Sequence, residues 1–156
     1  MRGVVLAPAL LSKLLAHVAE VYPLEGCGLL VGRREGEELR VTRVLPCPNV
    51  AKAEERAHRF VIDPRAVLNV ERRLRGTVES IVGFYHSHPD AEARPSKTDM
   101  EYVRLWPRTA WLIATVEGGE ARLPRAWWLD GPEGAAPREL EVRVAASAEA
   151  LAPCPE

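Results

Sequence analysis

The first half of the chain alternates between short apolar runs and one longer amphipathic segment. Leucine and valine recur every three or four positions after Pro8, the spacing of a helix with one buried face. Pro23 ends this periodicity, and Gly36 marks a charged turn between two apolar runs, which indicates a β-hairpin. We expect the polar stretch 46–58 to be a mobile loop. The predicted elements are a strand at 3–6, a helix at 8–22, hairpin strands at 28–31 and 39–44, and a short strand at 59–62.

The second half of the chain repeats this alternation with clearer boundaries. Asp63-Pro64 is a helix start, because Asp caps the first turn and Pro fits its first position. Gly76 supplies the stop, and a run rich in Ile and Val then leads into His86. The predicted elements are a helix at 63–75, a strand at 79–85, a loop at 90–95, a helix at 96–106, strands at 109–116 and 121–129, a Gly/Pro loop at 130–137, and a last strand at 140–144.

Length and composition indicate an ordinary globular chain. The 156 residues are 47% hydrophobic and 28% charged, and no linker or repeat divides them. We therefore predict a single domain over residues 1–147 and a frayed tail over 148–156. The net charge of −1 favours neither nucleic acid nor an anionic membrane as a partner. No apolar run approaches the roughly 20 residues of a membrane helix.

The three cysteines point to a reducing compartment. Cys27, Cys47 and Cys154 cannot all pair with one another, and no C-x-x-C is present. Reduced thiols fit best, so we expect a cytoplasmic protein. Cys27 lies two residues from Glu25 and is read either as a nucleophile or as a small buried side chain.

The chemistry of the chain centres on two histidines after the predicted strand at 79–85. His86 and His88 are two residues apart, so on a strand they point to one face, while Ser87 points to the other. Zinc at a catalytic site accepts two histidines and a carboxylate and keeps its fourth position for water. Asp99 is the nearby carboxylate. The residues alone therefore predict a hydrolytic site for one Zn²⁺ per chain, with ligands His86, His88 and Asp99.

Several of these positions also have purely structural interpretations. Ser96 and Asp99 have the spacing of a capping box at the start of a helix. Glu25, taken alone, is most simply a carboxylate in a surface turn. His17 and His58 are more typical of rim or packing residues than of ligands. The histidine pair downstream is what favours the functional interpretation of Glu25 and Ser96.

The full pattern is more specific than its parts. Seven residues, 89–95, separate the second histidine of H-S-H-P from S-x-x-D, and an acidic residue lies on an upstream strand. This resembles the JAMM motif, E…H-[ST]-H-P-x6-S-x-x-D, of the MPN or Mov34 family of zinc-dependent isopeptidases. The resemblance covers roughly residues 1–130, and the short chain is similar to the free-standing prokaryotic members. The matching positions are Glu25, His86, Ser87, His88, Pro89, Ser96 and Asp99.

The resemblance implies an α/β fold, with a mixed, curved β-sheet flanked by helices as in cytidine deaminases. It also implies that Glu25 accepts a proton from water and passes it to the departing amine. By the same resemblance, Ser96 donates a hydrogen bond to the oxyanion. A deaminase itself would need H-x-E and P-C-x-x-C, and neither is present.

The implied substrate is an amide or isopeptide bond after the C-terminal Gly-Gly of a ubiquitin-like β-grasp protein. Such proteins act as protein modifiers or sulfur carriers, and the sequence leaves open whether a protein or a single amino acid such as cysteine is released. The alternative is a non-catalytic, zinc-containing module that binds ubiquitin-like proteins. Structural zinc sites usually have four protein ligands, and only three are found here. A homodimer is compatible with the sequence, which shows no surface for it.

Overall fold

A computed structural model describes residues 1–128 and 136–146 of the chain. The frayed tail predicted for 148–156, and most of the loop predicted for 130–137, lie outside the described residues. The described elements are β1 (Gly3–Leu6), α1 (Pro8–Val21), β2 (Cys27–Glu35), β3 (Glu38–Cys47), a 3₁₀ turn (Ala53–Glu55), α2 (Pro64–Leu74), β4 (Ser80–Pro89), α3 (Lys97–Val103), β5 (Ala110–Glu117), β6 (Glu120–Ala121), β7 (Arg125–Trp128) and β8 (Arg138–Val144).

The strands form a curved sheet that closes on itself. Their order is β4-β2-β3-β1-β8-β7-β5-β6, and β4 also pairs with β5, so that every strand except β6 belongs to a ring. The pairs β1–β3, β1–β8 and β4–β5 are parallel, whereas β2–β3, β2–β4, β5–β7 and β7–β8 are antiparallel. The predicted mixed, curved sheet is therefore confirmed.

Each face of the sheet carries its own hydrophobic core. On one face, α1 buries Leu11, Leu14 and Val18 against sheet residues such as Leu30 and Leu112. The second face packs against α2, α3 and residues 59–62, and its members include Phe60, Ile62, Val67, Phe84 and Trp111. No helix in the described part of the chain is long and apolar enough to cross a membrane.

Residues 59–62 do not form the predicted strand. Their one backbone hydrogen bond to the facing segment runs from the N–H of Val50 to the carbonyl of Val61. The Asn49 side chain forms hydrogen bonds with two more backbone groups of this segment: its amide donates to the Arg59 carbonyl and its oxygen accepts from the Val61 N–H. A side chain replaces the partner strand here. The segment predicted to be a mobile loop is consequently hydrogen-bonded to its neighbours.

Two other predicted elements are shorter than the hydrophobic pattern suggested. The helix predicted for 96–106 spans only Lys97–Val103. Pro107 disfavours helical backbone in the residue before it, which accounts for part of the shortening. The strand predicted for 121–129 is interrupted between β6 and β7. Pro124 lies in that gap, and proline has no N–H to donate to a ladder.

We expect Gly83→Ala to destabilise the closed sheet. Gly83 pairs with Leu30 of β2 and Ala110 of β5, and an added Cβ would lie 2.3 Å from the Ala110 carbonyl oxygen. The free energy of unfolding, measured by denaturant titration, should fall by about 1–3 kcal/mol. Ser80→Ala, at the exposed start of the same strand, is the control and should change it by less than about 0.5 kcal/mol. Equal stability of the two variants would contradict this account of the closure.

Candidate metal centre

The register between β2 and β4 brings the first three polar side chains of the site together. Cys27 pairs with His86 in this antiparallel ladder. Continuing the register by two residues places Glu25 opposite His88, on the face that also carries His86. The helix α3 then brings in Asp99. All four polar side chains are buried, and their potential ligand atoms lie within 4.8 Å of one another.

Three of these side chains converge with the spacing that one metal ion requires. The Nε2 atoms of His86 and His88 are 3.2 Å apart, and Asp99 Oδ2 lies 3.1 Å from the first and 2.9 Å from the second. Ligand atoms of tetrahedral zinc, at 2.0–2.1 Å from the ion, are about 3.3 Å apart. Two imidazoles and a carboxylate also form a donor set that zinc accepts. The residues present therefore fit the ion that the motif implies.

A hydrogen bond on the side of the ring away from the cluster fixes the orientation of His88. Its Nδ1 lies 2.6 Å from the carbonyl oxygen of Glu92, and a carbonyl can only accept, so Nδ1 carries the proton. The Nε2 lone pair is thereby left for the cluster, as is usual for a metal-ligating histidine. The loop carrying Glu92 is held in turn, because Trp127 Nε1–H donates to the Ala93 carbonyl at 3.0 Å.

His86 is held by packing. Its ring is fully buried and stacks on Phe60, with ring centroids 4.4 Å apart. The Nδ1 atom of His86 has no hydrogen-bond partner among the described residues. The other ring nitrogen, Nε2, faces His88 and Asp99, so Nε2 is the atom of His86 that lies among the other candidate ligands.

Asp99 forms the predicted capping box and joins the cluster as well. The Ser96 N–H donates to Asp99 Oδ2 at 2.9 Å, and the Asp99 N–H donates to Ser96 Oγ at 3.0 Å. The structural and functional interpretations of this pair are therefore compatible. Ser96 itself is exposed at the start of α3. Its role as an oxyanion donor stays a prediction.

Glu25 is not the surface carboxylate that its local sequence suggested. It is buried, and its Oε1 atom has no hydrogen-bond partner among the described residues. Burial raises the pKa of Glu25 to about 8, although the charge on His88 opposes the rise. Its backbone is fixed on both sides: its N–H donates to the Arg56 carbonyl at 2.8 Å, and its carbonyl accepts from the Asn49 side-chain amide at 3.1 Å.

Ser87 ties the strand segment that carries Glu25 to the strand that carries the histidines. Its Oγ accepts from the Gly26 N–H at 2.8 Å, and its own N–H donates to the Gly26 carbonyl at 3.0 Å. Gly26 also lets α1 approach, because an added Cβ would lie 2.9 Å from a Val21 methyl group. The middle residue of H-S-H therefore joins the two strands beside the cluster.

Without a bound metal, the three convergent side chains change one another's pKa values. Burial raises the pKa of Asp99, but His86, His88 and the Ser96 N–H stabilise the carboxylate more strongly, and the net pKa is lowered. Burial lowers the pKa of His86. For His88 burial acts in the same direction, but hydrogen bonds to Asp99 and the Glu92 carbonyl raise the net pKa. A cation binding here would replace the proton on His88.

The other polar candidates lie outside the cluster. His58 is exposed, and His17 Nδ1 lies 2.7 Å from the Tyr85 hydroxyl on the opposite face of β4. Cys27 is fully buried, and burial raises the pKa of its thiol. A buried, protonated thiol supports the interpretation of Cys27 as a small core residue. Asn49 was not predicted to take part, since a single asparagine after a proline carries no distinctive signal.

Comparison with known proteins places this site in a family. Residues 7–130 match the family described as prokaryotic homologues of the JAB domain. The chain belongs to this family. The resemblance inferred from the motif is therefore confirmed, and so is the α/β fold that it implied. The solution structure of a Desulfitobacterium hafniense protein superposes with a TM-score of 0.77 at 28% identity, covering 92% of this chain and 94% of the other.

Two relatives of this JAB-domain chain have names that state an activity. It is 38% identical over 114 residues to the probable TtuB-protein conjugate cleaving protease of Thermus thermophilus, covering 73% of this chain and 71% of the relative. It is 36% identical over 92 residues to the CysO-cysteine peptidase of Mycobacterium tuberculosis, covering 59% of this chain and 60% of the relative.

Zinc binding should depend on Asp99. Asp99→Asn removes the charge of a proposed ligand. It should weaken Zn²⁺ binding by more than about 100-fold, because losing a residue that only hydrogen-bonds to a ligand already costs up to about that much. Competition with a chromophoric chelator measures the affinity. Asp63→Asn is the matched control, because Asp63 also sits at a helix start but lies outside the cluster. Wild-type affinity in Asp99→Asn would remove Asp99 from the ligand set.

The link between Ser87 and Gly26 should be measurable as stability. Ser87→Ala leaves the buried Gly26 N–H without its side-chain acceptor and should lower the free energy of unfolding by about 1–3 kcal/mol. Ser87→Thr, which keeps the hydroxyl, should lose less. Denaturant titration of the metal-free protein checks both variants. If alanine and threonine are tolerated equally well, the hydroxyl does not hold the two strands together.

Proposed function

We propose that this chain is a zinc-dependent hydrolase. Its substrate is the amide or isopeptide bond that follows the C-terminal Gly-Gly of a ubiquitin-like or sulfur-carrier protein. The observation that carries the proposal is the position of Glu25: a buried carboxylate with an unpartnered oxygen beside three convergent ligands. The names of the two relatives, a TtuB-protein conjugate cleaving protease and a CysO-cysteine peptidase, support the substrate class.

The residues divide between holding the ion and moving a proton. His86, His88 and Asp99 would hold the zinc, which would act as a Lewis acid and lower the pKa of water. Glu25 accepts the proton of the attacking water at Oε1. The water oxygen bonds to the acyl carbon, the carbon–nitrogen bond breaks, and Glu25 returns the proton to the departing amine. One water is consumed, and a carboxylate and a protonated amine are formed, so that both protons of the water end on the departing nitrogen.

The environment of Glu25 suits this task. A general base works best when its pKa lies near the working pH, and burial moves the pKa of Glu25 upward to about 8. A cation bound beside Glu25 would lower this pKa. Ser96 stands next to Asp99 at the helix start, and we assign its hydroxyl to the oxyanion of the tetrahedral intermediate.

A non-catalytic module that binds ubiquitin-like proteins is the second candidate. Such a module would need the fold and the zinc but would have no use for a buried carboxylate beside the ion. Burying Glu25 without a hydrogen-bond partner on Oε1 costs stability. This cost favours hydrolysis over simple binding.

The setting of the reaction is part of the proposal. We place it in the cytoplasm, where the free thiols of Cys27 and Cys47 would remain reduced. The partner is a ubiquitin-like β-grasp protein or its conjugates, and neither nucleic acid nor membrane is involved. A homodimer stays a prediction without a surface assigned to it.

Cleavage can be tested on two carriers. We expect zinc-loaded protein to release intact carrier from a TtuB–protein conjugate or from CysO–cysteine, as read by intact mass spectrometry. A chelator should stop release, and added zinc should restore it. Glu25→Gln should keep the zinc and slow release by at least about 100-fold, the lower range for losing a general base.

The contrary outcomes are distinct. Near wild-type turnover in Glu25→Gln would remove Glu25 as the general base. Carrier binding without release by the zinc-loaded wild type would instead favour the binding module.

A further inference from the structure

The backbone of Glu25 lies just before the β-sheet begins. The strand β2 starts at Cys27, and the intervening residue, Gly26, exchanges its two backbone hydrogen bonds with Ser87 of β4. The N–H and the carbonyl of Glu25 are bonded to the loop of residues 48–63 instead, which joins β3 to α2. The exact position of Glu25 therefore depends on this loop as well as on the sheet.

Four hydrogen bonds form a closed ring that holds both backbone groups of Glu25. Its N–H donates to the Arg56 carbonyl at 2.8 Å, and Arg56 Nε donates to the Ala51 carbonyl at 2.7 Å. The Ala51 N–H donates to Asn49 Oδ1 at 3.1 Å, and Asn49 Nδ2 closes the ring by donating to the Glu25 carbonyl at 3.1 Å. Arg56 meets Glu25 through its backbone, whereas Asn49 meets it through a side chain. A substitution of Asn49 can therefore remove one contact to Glu25 and leave the other.

The Asn49 carboxamide is also bonded to a buried segment of the same loop. Its Nδ2 donates to the Arg59 carbonyl at 2.9 Å, and its Oδ1 accepts from the Val61 N–H at 3.1 Å. Phe60, which lies between these two residues, belongs to the core on the metal-centre face of the sheet. Both N–H groups and both lone pairs of the amide are thus in use, and only one orientation of the amide satisfies all four partners. One side chain therefore ties the backbone of Glu25 to a segment anchored in the core.

The candidate zinc ligands have a different support. None of the four hydrogen bonds of Asn49 involves His86, His88 or Asp99. The strand β4 carries both histidines, and the capping box at the start of α3 holds Asp99. Because the base and the ligands are held separately, Glu25 can be displaced while the ligands stay in place.

We propose that Asn49 is a positioning residue for proton transfer. Through the Glu25 carbonyl, it sets the distance between the Glu25 carboxylate and the metal centre. This inference rests on the proposed function, in which Glu25 moves the proton. A base must lie within hydrogen-bond reach of the water that it deprotonates, and a displacement of about 1 Å can slow a reaction by about 100-fold. Asn49 acts through Glu25 and carries no proton itself.

The first test replaces Asn49 by a residue of nearly the same shape. Asn49→Asp exchanges the two N–H donors for an oxygen that repels the carbonyls of Glu25 and Arg59. For release from a TtuB–protein conjugate and from CysO–cysteine, kcat should fall by about 10–100-fold. The KM and the zinc affinity should keep their wild-type values. Asn69→Asp makes the same change at an exposed position of α2 and should keep the wild-type kcat.

Combining Asn49→Asp with Glu25→Gln separates positioning from a purely structural role. The residual release by Glu25→Gln no longer depends on where a base lies, so adding Asn49→Asp should leave its rate unchanged. A substitution that merely lowered the folded fraction or weakened carrier binding would slow Glu25→Gln by the same factor as the wild type. Intact mass spectrometry of the zinc-loaded variants gives the rates, and circular dichroism gives the folded fraction.

Each contrary result has its own meaning. Wild-type kcat in Asn49→Asp, or equal slowing with and without Glu25→Gln, would overturn the positioning role alone. If Asn49→Asp does not fold, Asn49→Gln takes its place, since it keeps both donors and the acceptor on a side chain one methylene longer. Failure of both variants to fold would assign Asn49 to the fold and overturn the proposal. No release by the wild type from either conjugate would overturn the proposed function, and this inference with it.

Discussion

The antiparallel register of β2 and β4 is the constraint on which the rest of the site depends. Cys27 opposite His86 fixes Gly26 opposite Ser87 and Glu25 opposite His88. A shift by one residue would turn Glu25 to the other face of the sheet. The Ser87 hydroxyl adds a side-chain hydrogen bond at the point where the ladder ends. Glu25 lies just before the start of β2, so the pairing of β2 with β4 is what positions its carboxylate.

Burial makes the site both costly and effective. His86 is fully buried, and Glu25 and Asp99 are nearly so. Charges removed from water are stable only when other charges and hydrogen bonds replace the water. Asp99 has such partners in both histidines and in the Ser96 N–H, whereas Glu25 lacks one at Oε1. The group left unsatisfied is the one to which we assign proton transfer, and such residues are expected at functional sites rather than in a core built for stability.

The elements that the sequence predicted best are those with a local cause. The helix starts at Pro8 and Asp63 follow from capping chemistry, and the shared face of His86 and His88 follows from the period of a strand. One prediction failed because a distant group replaced a local one. At 59–62, the side chain of Asn49 takes the hydrogen bonds of a partner strand. The burial of Glu25 is likewise a consequence of tertiary packing, and only the downstream histidines gave a reason to single it out.

The closed sheet explains why the site can be rigid while its surroundings vary. The ligands lie on or beside β4, which pairs on both edges with β2 and β5 and cannot shift without breaking two ladders. The cleft that borders Glu25 and the cleft that borders Asp99 are walled in part by loops instead, such as residues 48–49 and 59–61. Those segments contribute few ladder hydrogen bonds, so substitutions there can alter recognition with little effect on the ligand geometry. Arg56 joins the two regions, since its side chain lines a cleft while its carbonyl holds Glu25. A change in the loop at this position would therefore be coupled, through one backbone hydrogen bond, to the placement of Glu25.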